Sequence, residues 1–332
     1  MKRAALLVSA IVLAALGALA AYAFDELSRP RRLASAETTV RVEPGDSFRA
    51  VAERLRERGM IRHPLLFRAW ARYRGLDRAV RSGEYRVRSP VSPRQLLEIL
   101  QTVPAVPTQM VTFPEGFSVA QMAELFERSG FGPRVSFLQA AADPRLVAEL
   151  GLPPTGAEGY LFPDTYAFTA GMQPAAMIRM MVARFREQAA QLDERRVRAG
   201  MSEREMVILA SIVEKETGRA EERPLIAAVF RNRLRLGMPL QSDPTVIYGI
   251  SSFDGNLKRA HLEDGSSPYN TYRHRGLPPG PICNPGRASL EAAIAPAESR
   301  ALYFVSRNDG SHQFSNTLTE HNRAVASFQR SR

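Results

Sequence analysis

The sequence predicts an α+β protein with a single N-terminal transmembrane helix, a small α/β module and a larger mixed α+β domain. Three observations support this prediction. Residues 4–24 carry no charge, short alternating runs flank helical repeats between residues 39 and 101, and amphipathic helices alternate with turn-rich segments after residue 105. The chain has 332 residues, 45% hydrophobic and 24% charged, so it can bury a sizeable core in more than one domain.

Residues 1–24 are interpreted as a membrane anchor. The run of 21 uncharged residues is long enough, at about 1.5 Å per helical residue, to cross a hydrocarbon core of about 30 Å. A cleaved signal peptide is the alternative, because residues 21–23 (AYA) resemble a cleavage site, but its apolar region would be shorter. Residues 25–38 are polar and are predicted to form a linker. In either case we expect the rest of the chain to be exported.

Residues 39–104 are predicted to form a small module in which two strands enclose two helices. Polar and apolar residues alternate over 39–42, which predicts the first strand. Asp46 or Ser47 can cap the helix that follows by accepting a hydrogen bond from a free amide. A serine followed by a proline opens the last helix. The predicted elements are a strand at 39–42, helices from 48 and over 65–73, a strand at 83–87 and a helix over 92–101.

The small module is strongly basic. Residues 40–103 contain 14 arginines and seven acidic residues, a local charge of +7 in a chain of net charge +11. This excess favours a partner with negative charge, such as anionic lipid, an acidic polymer or nucleic acid. Nucleic acid is the weakest of the three, because no helix-turn-helix or RNA-binding signature is present. A solvated helical surface is the alternative.

Several common catalytic motifs are absent from the sequence. It contains no phosphate-binding Walker loop, no HExxH pair and no GxSxG nucleophile elbow. The five histidines are not placed at metal-ligand spacing within a helix, and the single cysteine, Cys283, excludes an intrachain disulfide. We therefore predict neither a metal nor a cofactor.

Residues 105–332 are predicted to form the catalytic domain, and its clearest helix covers residues 203–217. Ser202 and Glu205 form a capping box at its start, and Gly218 is suited to end it. Glu214 and Glu216 lie near its C-terminus, directly after a run of apolar residues. Carboxylates that follow an apolar helical face so closely are candidates for acid–base chemistry.

The two glutamates occupy different faces of this helix. Glu216 continues a stripe of bulky apolar residues, whereas Glu214 continues a stripe of smaller ones. Loss of solvation beside bulky apolar groups raises a carboxyl pKa, which lets the group act as a general acid near neutral pH. The alternative is that both glutamates are exposed at a frayed helix end beside Lys215.

Two later segments combine amides, hydroxyls and aromatic rings. Residues 237–250 contain Gln241, Ser242, Asp243 and Tyr248, and residues 267–286 contain Tyr269, Asn270, Thr271 and Tyr272. Such side chains suit a sugar chain, because they hydrogen-bond to hydroxyl groups and stack on pyranose faces. The same residue types also build ordinary turns.

Several sequence motifs resemble one family, the endolytic murein lytic transglycosylases of the MltG/YceG-like type. They are ASIVEKET, VFRNRLRLGMPLQSDPTVIYG, YNTY, GLPPGPICNPG, LYFV and EGYLFPDTY, and they occur in the family's order across nearly the whole chain. The start of the small module also resembles LysM-type glycan-binding modules, through its V-x-PGDS-x-x-x-V-A pattern. The alternative is a generic small α+β domain.

The family resemblance implies a lyase anchored in the cell inner membrane by a single pass, with its catalytic domain on the periplasmic side. Such enzymes cut nascent peptidoglycan strands internally between N-acetylmuramic acid (MurNAc) and N-acetylglucosamine (GlcNAc) and leave 1,6-anhydro-MurNAc ends, which would terminate strand elongation. The family's catalytic glutamate lies in a Glu-Thr dipeptide and matches Glu216. No second catalytic carboxylate is required, because the nucleophile comes from the substrate.

The resemblance also implies a set of substrate-binding residues and partners. Expected partners are peptidoglycan glycan strands, the membrane through the N-terminal helix, and peptidoglycan synthases, with no nucleic acid. The alternative function is a non-catalytic, membrane-anchored peptidoglycan-binding scaffold that recruits synthases. A third candidate function is a muramidase that uses water as the nucleophile, in which Asp243 or Glu158 would be the second carboxylate. The residues expected to bind substrate are Glu158, Gln241, Asp243, Tyr248, Asn270 and Tyr272.

Overall fold

The protein has a mixed α+β fold, as predicted, in a computed structural model that describes residues 2–43, 45–77, 80–104 and 108–329. The chain divides into two compact units, Met1–Thr108 and Gln109–Arg332. The candidate site lies in the second unit.

The first unit has the predicted order of strand, two helices, strand and final helix, preceded by the apolar helix. Its two strands pair antiparallel, with Glu37 opposite Arg88 and Val42 opposite Gly83. Their inward residues pack on the helices around Leu55, Phe67 and Tyr85. The elements are α1 Lys2–Ser28, β1 Glu37–Val42, α2 Phe48–Glu57, α3 Pro64–Tyr73, β2 Gly83–Arg88 and α4 Pro93–Ile99.

The apolar helix α1 extends further than the sequence predicted. It continues to Ser28, so the start of the predicted linker is helical. The reason is local packing, because Leu27 is buried and Glu26 forms an ion pair with Arg31. Within the described residues, Ala10–Ser28 is the one helical stretch long and apolar enough to cross a membrane.

The second unit is mainly helical, and its strands form two-stranded sheets, the first strand with the second and the third with the fourth. A short 3-10 turn, Ala220–Glu222, separates two of its helices. The elements are β3 Thr108–Thr112, α5 Val119–Arg128, α6 Arg134–Ala142, α7 Pro144–Glu149, β4 Thr165–Thr169, α8 Pro174–Ala190, α9 Asp193–Arg198, α10 Glu203–Glu216, α11 Arg223–Arg235, α12 Asp243–Tyr248, α13 Arg259–Glu263, α14 Arg287–Ile294, β5 Tyr303–Ser306, β6 His312–Ser315 and α15 Leu318–Gln329.

Helix α10 forms the centre of this unit. The predicted capping box is present, with Ser202 accepting from the amide of Glu205 and the Glu205 carboxylate accepting from the amide of Ser202. Every residue from position 206 to 213 is buried, so the helix packs against neighbours on all sides, including α11 and α14. The burial ends at Val213, which brings both glutamates to the edge of the core.

An irregular loop, residues 276–286, lies beside α10. Ser211 accepts a hydrogen bond from the amide of Ile282 at 3.0 Å. The buried Asn284 accepts from the amide of Leu161 at 2.9 Å and donates to the carbonyl of Phe117 at 3.0 Å. These bonds join the loop to three separate parts of the unit and fix a backbone that has no regular structure of its own.

Candidate active site

Glu216 is the last residue of α10 and lines a cavity of about 360 Å³. The helix ends there because Thr217 adopts an extended conformation, with φ −143° and ψ 140°. The described residues that line the cavity are Glu216, Arg233, Leu240, Gln241, Asp243, Tyr272, Phe304 and His321.

Ser242 holds the Glu216 carboxyl in place. Its hydroxyl donates to Glu216 Oε1 at 2.5 Å. Ser242 is itself fixed, because its amide donates to the Thr271 hydroxyl at 3.0 Å and its carbonyl accepts from the Thr245 hydroxyl at 2.7 Å. All three hydroxyl residues are buried, so the carboxyl has one preferred orientation.

Arg233 places a buried positive charge on the cavity wall. Its guanidinium donates to the carbonyls of Leu302 at 2.7 Å and Leu240 at 2.8 Å, and to Gln241 Oε1 at 3.2 Å. It also lies 5.1 Å from the ring centroid of Tyr303.

Gln241 has a positive φ of 53°, uncommon for a residue other than glycine, in the loop between α11 and α12.

The environment of Glu216 suits a group that must both give and take a proton. Burial raises its pKa from 4.5 to about 7, and the nearby negative charge of Asp243 acts in the same direction. The Ser242 hydrogen bond and the charge of Arg233 oppose this rise. Both protonation states are therefore populated near neutral pH, which is the best condition for acid–base catalysis.

Asp243 and Tyr272 form the polar side of the cavity. The Tyr272 hydroxyl donates to Asp243 Oδ1 at 2.7 Å. Burial raises the pKa of Tyr272, and the adjacent Asp243 raises it further, so the phenol stays neutral and remains a donor. The pair presents a carboxylate and an aromatic ring to the cavity that contains Glu216.

His321, on α15, contributes an uncharged imidazole to the same cavity. Its ring stacks on Tyr303 with centroids 5.2 Å apart. Burial and then the charge of Arg233 lower its pKa, so the ring is neutral at pH 7. Its Nδ1 atom is buried and has no hydrogen-bond partner among the described residues.

Glu158 and Tyr248 meet in a different place. Both oxygens of Glu158 accept from the amide of Val119, at the start of α5, at 3.1 Å. Asn284 donates to the same carboxyl at 3.1 Å, and the Tyr248 hydroxyl donates to it at 3.3 Å. Burial raises the pKa of Glu158 to about 7, but its oxygens are already occupied by protein donors. Glu158 therefore connects α5, the irregular loop 276–286 and α12.

Asn270 and Glu214 also make extensive contacts within the protein. The buried Asn270 amide donates to the carbonyls of His261 at 3.1 Å and Leu262 at 3.2 Å, at α13. Glu214 pairs with Arg223 at 3.2 Å and accepts from the amide of Gly286 at 2.9 Å, where α14 begins. Because Glu214 is occupied by these partners, Glu216 is the more available of the two glutamates for contact with a molecule in the cavity.

The structure thus brings together four of the predicted site residues: Glu216, Gln241, Asp243 and Tyr272 share one cavity. Three others, Glu158, Tyr248 and Asn270, have the separate contacts described above, and their role in substrate binding stays a prediction. The sequence indicated Ser242 only as one of several polar residues in its segment, not as a site residue, and it did not indicate Arg233 or His321. The first two lie inside the motif VFRNRLRLGMPLQSDPTVIYG, which could have identified them, whereas nothing local marks His321.

Within the described residues, no three His, Cys, Asp or Glu side chains are arranged to hold a metal ion.

The pH dependence of stability should reveal the two raised carboxyls. Folding raises the pKa of Glu158 and Glu216 from 4.5 to about 7, so the folded state binds protons more tightly. The contribution of these two carboxyls to the free energy of unfolding is fully present below pH 4.5 and is lost as pH rises through about 7. We expect Glu158→Gln and Glu216→Gln each to remove about 3 kcal/mol of this decrease, measured by urea unfolding at pH 5 and pH 8. An unchanged slope in both variants would contradict the assignment.

Comparison with known proteins assigns the chain to a family. The model of the YceG-like family matches residues 40–327. The chain belongs to the YceG-like family.

Curated relatives of this chain carry the name endolytic murein transglycosylase. The relative from Streptococcus pneumoniae (strain D39) is 31% identical over 320 residues, which cover 87% of this chain and 58% of that protein. The relative from Bacillus subtilis (strain 168) is 29% identical over 309 residues, covering 88% of this chain and 85% of that protein. The chain therefore spans just over half the length of the pneumococcal relative.

A solved structure has a similar fold. The crystal structure of a YceG-like protein from Listeria monocytogenes matches with a TM-score of 0.60 at 30% sequence identity. The match covers 87% of this chain and 98% of that one.

Proposed function

We propose that this protein is an endolytic peptidoglycan lytic transglycosylase, a lyase that cuts the MurNAc–GlcNAc bond within nascent glycan strands. The observation that carries the proposal is Glu216, a carboxyl with a pKa of about 7 that lines a polar cavity and stands in the family's Glu-Thr dipeptide. Relatives named endolytic murein transglycosylase, at about 30% identity over most of this chain, support the same activity.

In the proposed reaction Glu216 acts first as acid and then as base. Its carboxyl gives a proton to the glycosidic oxygen while the bond from that oxygen to C1 of MurNAc breaks. The resulting carboxylate takes the proton of the C6 hydroxyl of the same MurNAc, and O6 bonds to C1. The products are a free GlcNAc hydroxyl and a 1,6-anhydro-MurNAc end. No water is consumed, and Glu216 returns to its protonated form.

The neighbours of Glu216 are proposed to support both steps. Ser242 donates to one carboxyl oxygen at 2.5 Å, which leaves the other oxygen for the substrate. The charge of Arg233 stabilises the carboxylate formed after the first step. The negative charge of Asp243 favours the positive charge that develops at C1 in the transition state. The Tyr272 ring and the Gln241 amide are suited to contact a sugar.

We propose four segments for the whole chain: anchor 1–24, linker 25–38, LysM-like module 39–104 and catalytic domain 105–332. The strand, two helices and strand of the first unit are consistent with a LysM-like module. We also propose single-pass insertion in the cell inner membrane with the catalytic domain on the periplasmic side; the apolar helix supports the membrane anchor. Peptidoglycan synthases are the proposed partners during strand termination.

Analysis of the reaction products tests the proposed function. The full chain in detergent is incubated with peptidoglycan, and the fragments are identified by mass spectrometry. Internal fragments with 1,6-anhydro ends support the lytic reaction. Reducing ends would instead indicate hydrolysis, with Asp243 as the second carboxylate in the cavity. No new ends of either kind would favour the scaffold, which is tested in cells by comparing Glu216→Gln with a deletion of residues 39–103.

Ser242→Ala is expected to move the pH profile of cleavage. The serine hydroxyl stabilises the carboxylate form of Glu216, so its loss raises the Glu216 pKa further. The pH at which the cleavage rate falls on the alkaline side should rise by about one unit, the size expected for one hydrogen bond to a charged group. Initial rates between pH 5 and 9 measure the shift. Ser251→Ala, at an exposed position, is the control, and a profile equal to that of the control would contradict the role of Ser242.

A further inference from the structure

Helix α3 of the first unit begins in contact with the apolar helix α1. The Tyr22 hydroxyl lies 3.1 Å from His63 Nε2, and the two rings are 6.1 Å apart in an edge-on arrangement. His63 immediately precedes Pro64, the first residue of α3. A second contact fixes the same end of α1, because Arg31 pairs with Val91 through two backbone hydrogen bonds. The position of α3 relative to α1 is therefore defined by direct contacts within one unit.

This contact sets the depth of α3 when α1 crosses a bilayer. Tyr22 lies two residues before the end of the uncharged run, about 3 Å along the helix axis. The headgroup layer extends roughly 5–7 Å beyond the hydrocarbon core on each side. Tyrosine is also a residue that prefers this interface. When residues 4–24 fill the hydrocarbon core, His63 and the first turn of α3 therefore lie close to the boundary between that core and the headgroup layer.

One face of α3 carries an exposed apolar residue among arginines. Leu65 is 74% exposed, and Arg68 and Arg72 follow it at intervals of three and seven residues, with Arg62 just before the helix. Within the described part of the chain, none of these arginines pairs with a carboxylate. Arg49 adds a further positive charge to a groove of about 440 Å³ beside this face, where Asp77 is the one acidic residue among the described lining.

We propose that the α3 basic face, formed by Arg62, Leu65, Arg68 and Arg72, docks on the anionic phospholipid headgroups of the bilayer that α1 crosses. Arginine binds phosphate through paired hydrogen bonds, and an exposed leucine at headgroup depth loses its contact with water. The proposed occupant is lipid because the face begins next to His63, which contacts α1, the helix long and apolar enough to cross a membrane, and because the face carries excess positive charge. This inference does not depend on the proposed catalytic activity.

An environment-sensitive fluorophore at position 65 tests the docking. The full chain carries Leu65→Cys for labelling and Cys283→Ser to remove the buried native thiol. It is reconstituted in nanodiscs of phosphatidylcholine, or of an equimolar mixture with phosphatidylglycerol. We expect blue-shifted emission and quenching by headgroup nitroxides in the anionic discs, both weakened by high salt.

Two triple variants separate the role of this face from net charge. Arg62→Gln, Arg68→Gln and Arg72→Gln together should reduce the docked population on the order of a hundredfold. The matched control removes the same charge from the exposed face of the β1–β2 pair, with Arg41→Gln, Arg86→Gln and Arg88→Gln, and should keep the blue shift.

Three results would overturn the proposal. The first is a fluorophore that remains in water in both kinds of disc, and the second is an equal loss in the two triple variants. The third is a blue shift in phosphatidylcholine discs that appears only after an acidic cell-wall polymer is added, which would make the polymer the occupant. Circular dichroism of each variant confirms that the chain is folded.

Discussion

Glu216→Gln is expected to lower the rate of glycan cleavage by about 10²–10⁴-fold, the usual contribution of a positioned acid–base group. Glutamine keeps the size of the side chain and its carbonyl can still accept from Ser242, but it cannot transfer a proton. Folding should not suffer, because the substitution removes a carboxyl whose charged form is disfavoured by burial. Mass spectrometry of anhydro-ended fragments measures the loss, and thermal unfolding at pH 8 confirms the fold.

Asp243→Asn is the matched control for this prediction. It changes a second carboxyl of the same cavity to an amide of equal size. If the substrate supplies its own nucleophile, Asp243→Asn reduces the rate less than Glu216→Gln does. Equal activity of Glu216→Gln and the unmodified chain would refute the role of Glu216. Complete loss in both variants would indicate that two carboxylates are needed, as in hydrolysis.

Gly159→Ala is expected to destabilise the second unit by roughly 2–4 kcal/mol, since it combines backbone strain with overpacking. Gly159 has a φ of +88°, and an added Cβ would lie 2.4 Å from Pro281 Cγ and 2.8 Å from Val207 Cγ1. Pro281 belongs to the irregular loop beside α10, and Val207 to α10 itself. Urea unfolding followed by far-ultraviolet circular dichroism measures the effect.

Gly130→Ala isolates the backbone contribution to this effect. Gly130 has a similar φ of +79°, but no atom lies within 4 Å of an added Cβ. This variant should therefore cost only about 1–2 kcal/mol. Equal costs at the two positions would show that the loop can move away from Gly159, and that its packing on α10 is not rigid.

The parts of the fold that depend on local sequence were predictable. The capping box of Ser202 and Glu205 fixes where α10 begins, and apolar spacing indicates its buried faces. The order of elements in the first unit follows from alternation, turns and helix caps in the same way. The distinction between Glu214 and Glu216 was also accessible, because residues two apart on a helix lie roughly 200° apart.

The directions of side chains in irregular segments were not predictable. Asn270 and Tyr272 are two residues apart in one loop, yet the first binds backbone carbonyls and the second lines the cavity. Residue type alone cannot distinguish these outcomes. Arg233 is buried because carbonyls distant in sequence, such as that of Leu302, converge on it. Contacts of this kind depend on tertiary packing, so periodicity in the sequence gives no sign of them.

The position of Trp70 makes the two units spectroscopically distinguishable. It is the only tryptophan in the chain, and it lies on α3 with the guanidinium groups of Arg74 and Arg94 at 5.5 Å and 5.9 Å from its ring. Intrinsic tryptophan emission therefore reports on the first unit alone, whereas far-ultraviolet circular dichroism is dominated by the larger helical unit. Denaturation followed by both signals would determine, without labels or substitutions, whether the two units unfold together or separately.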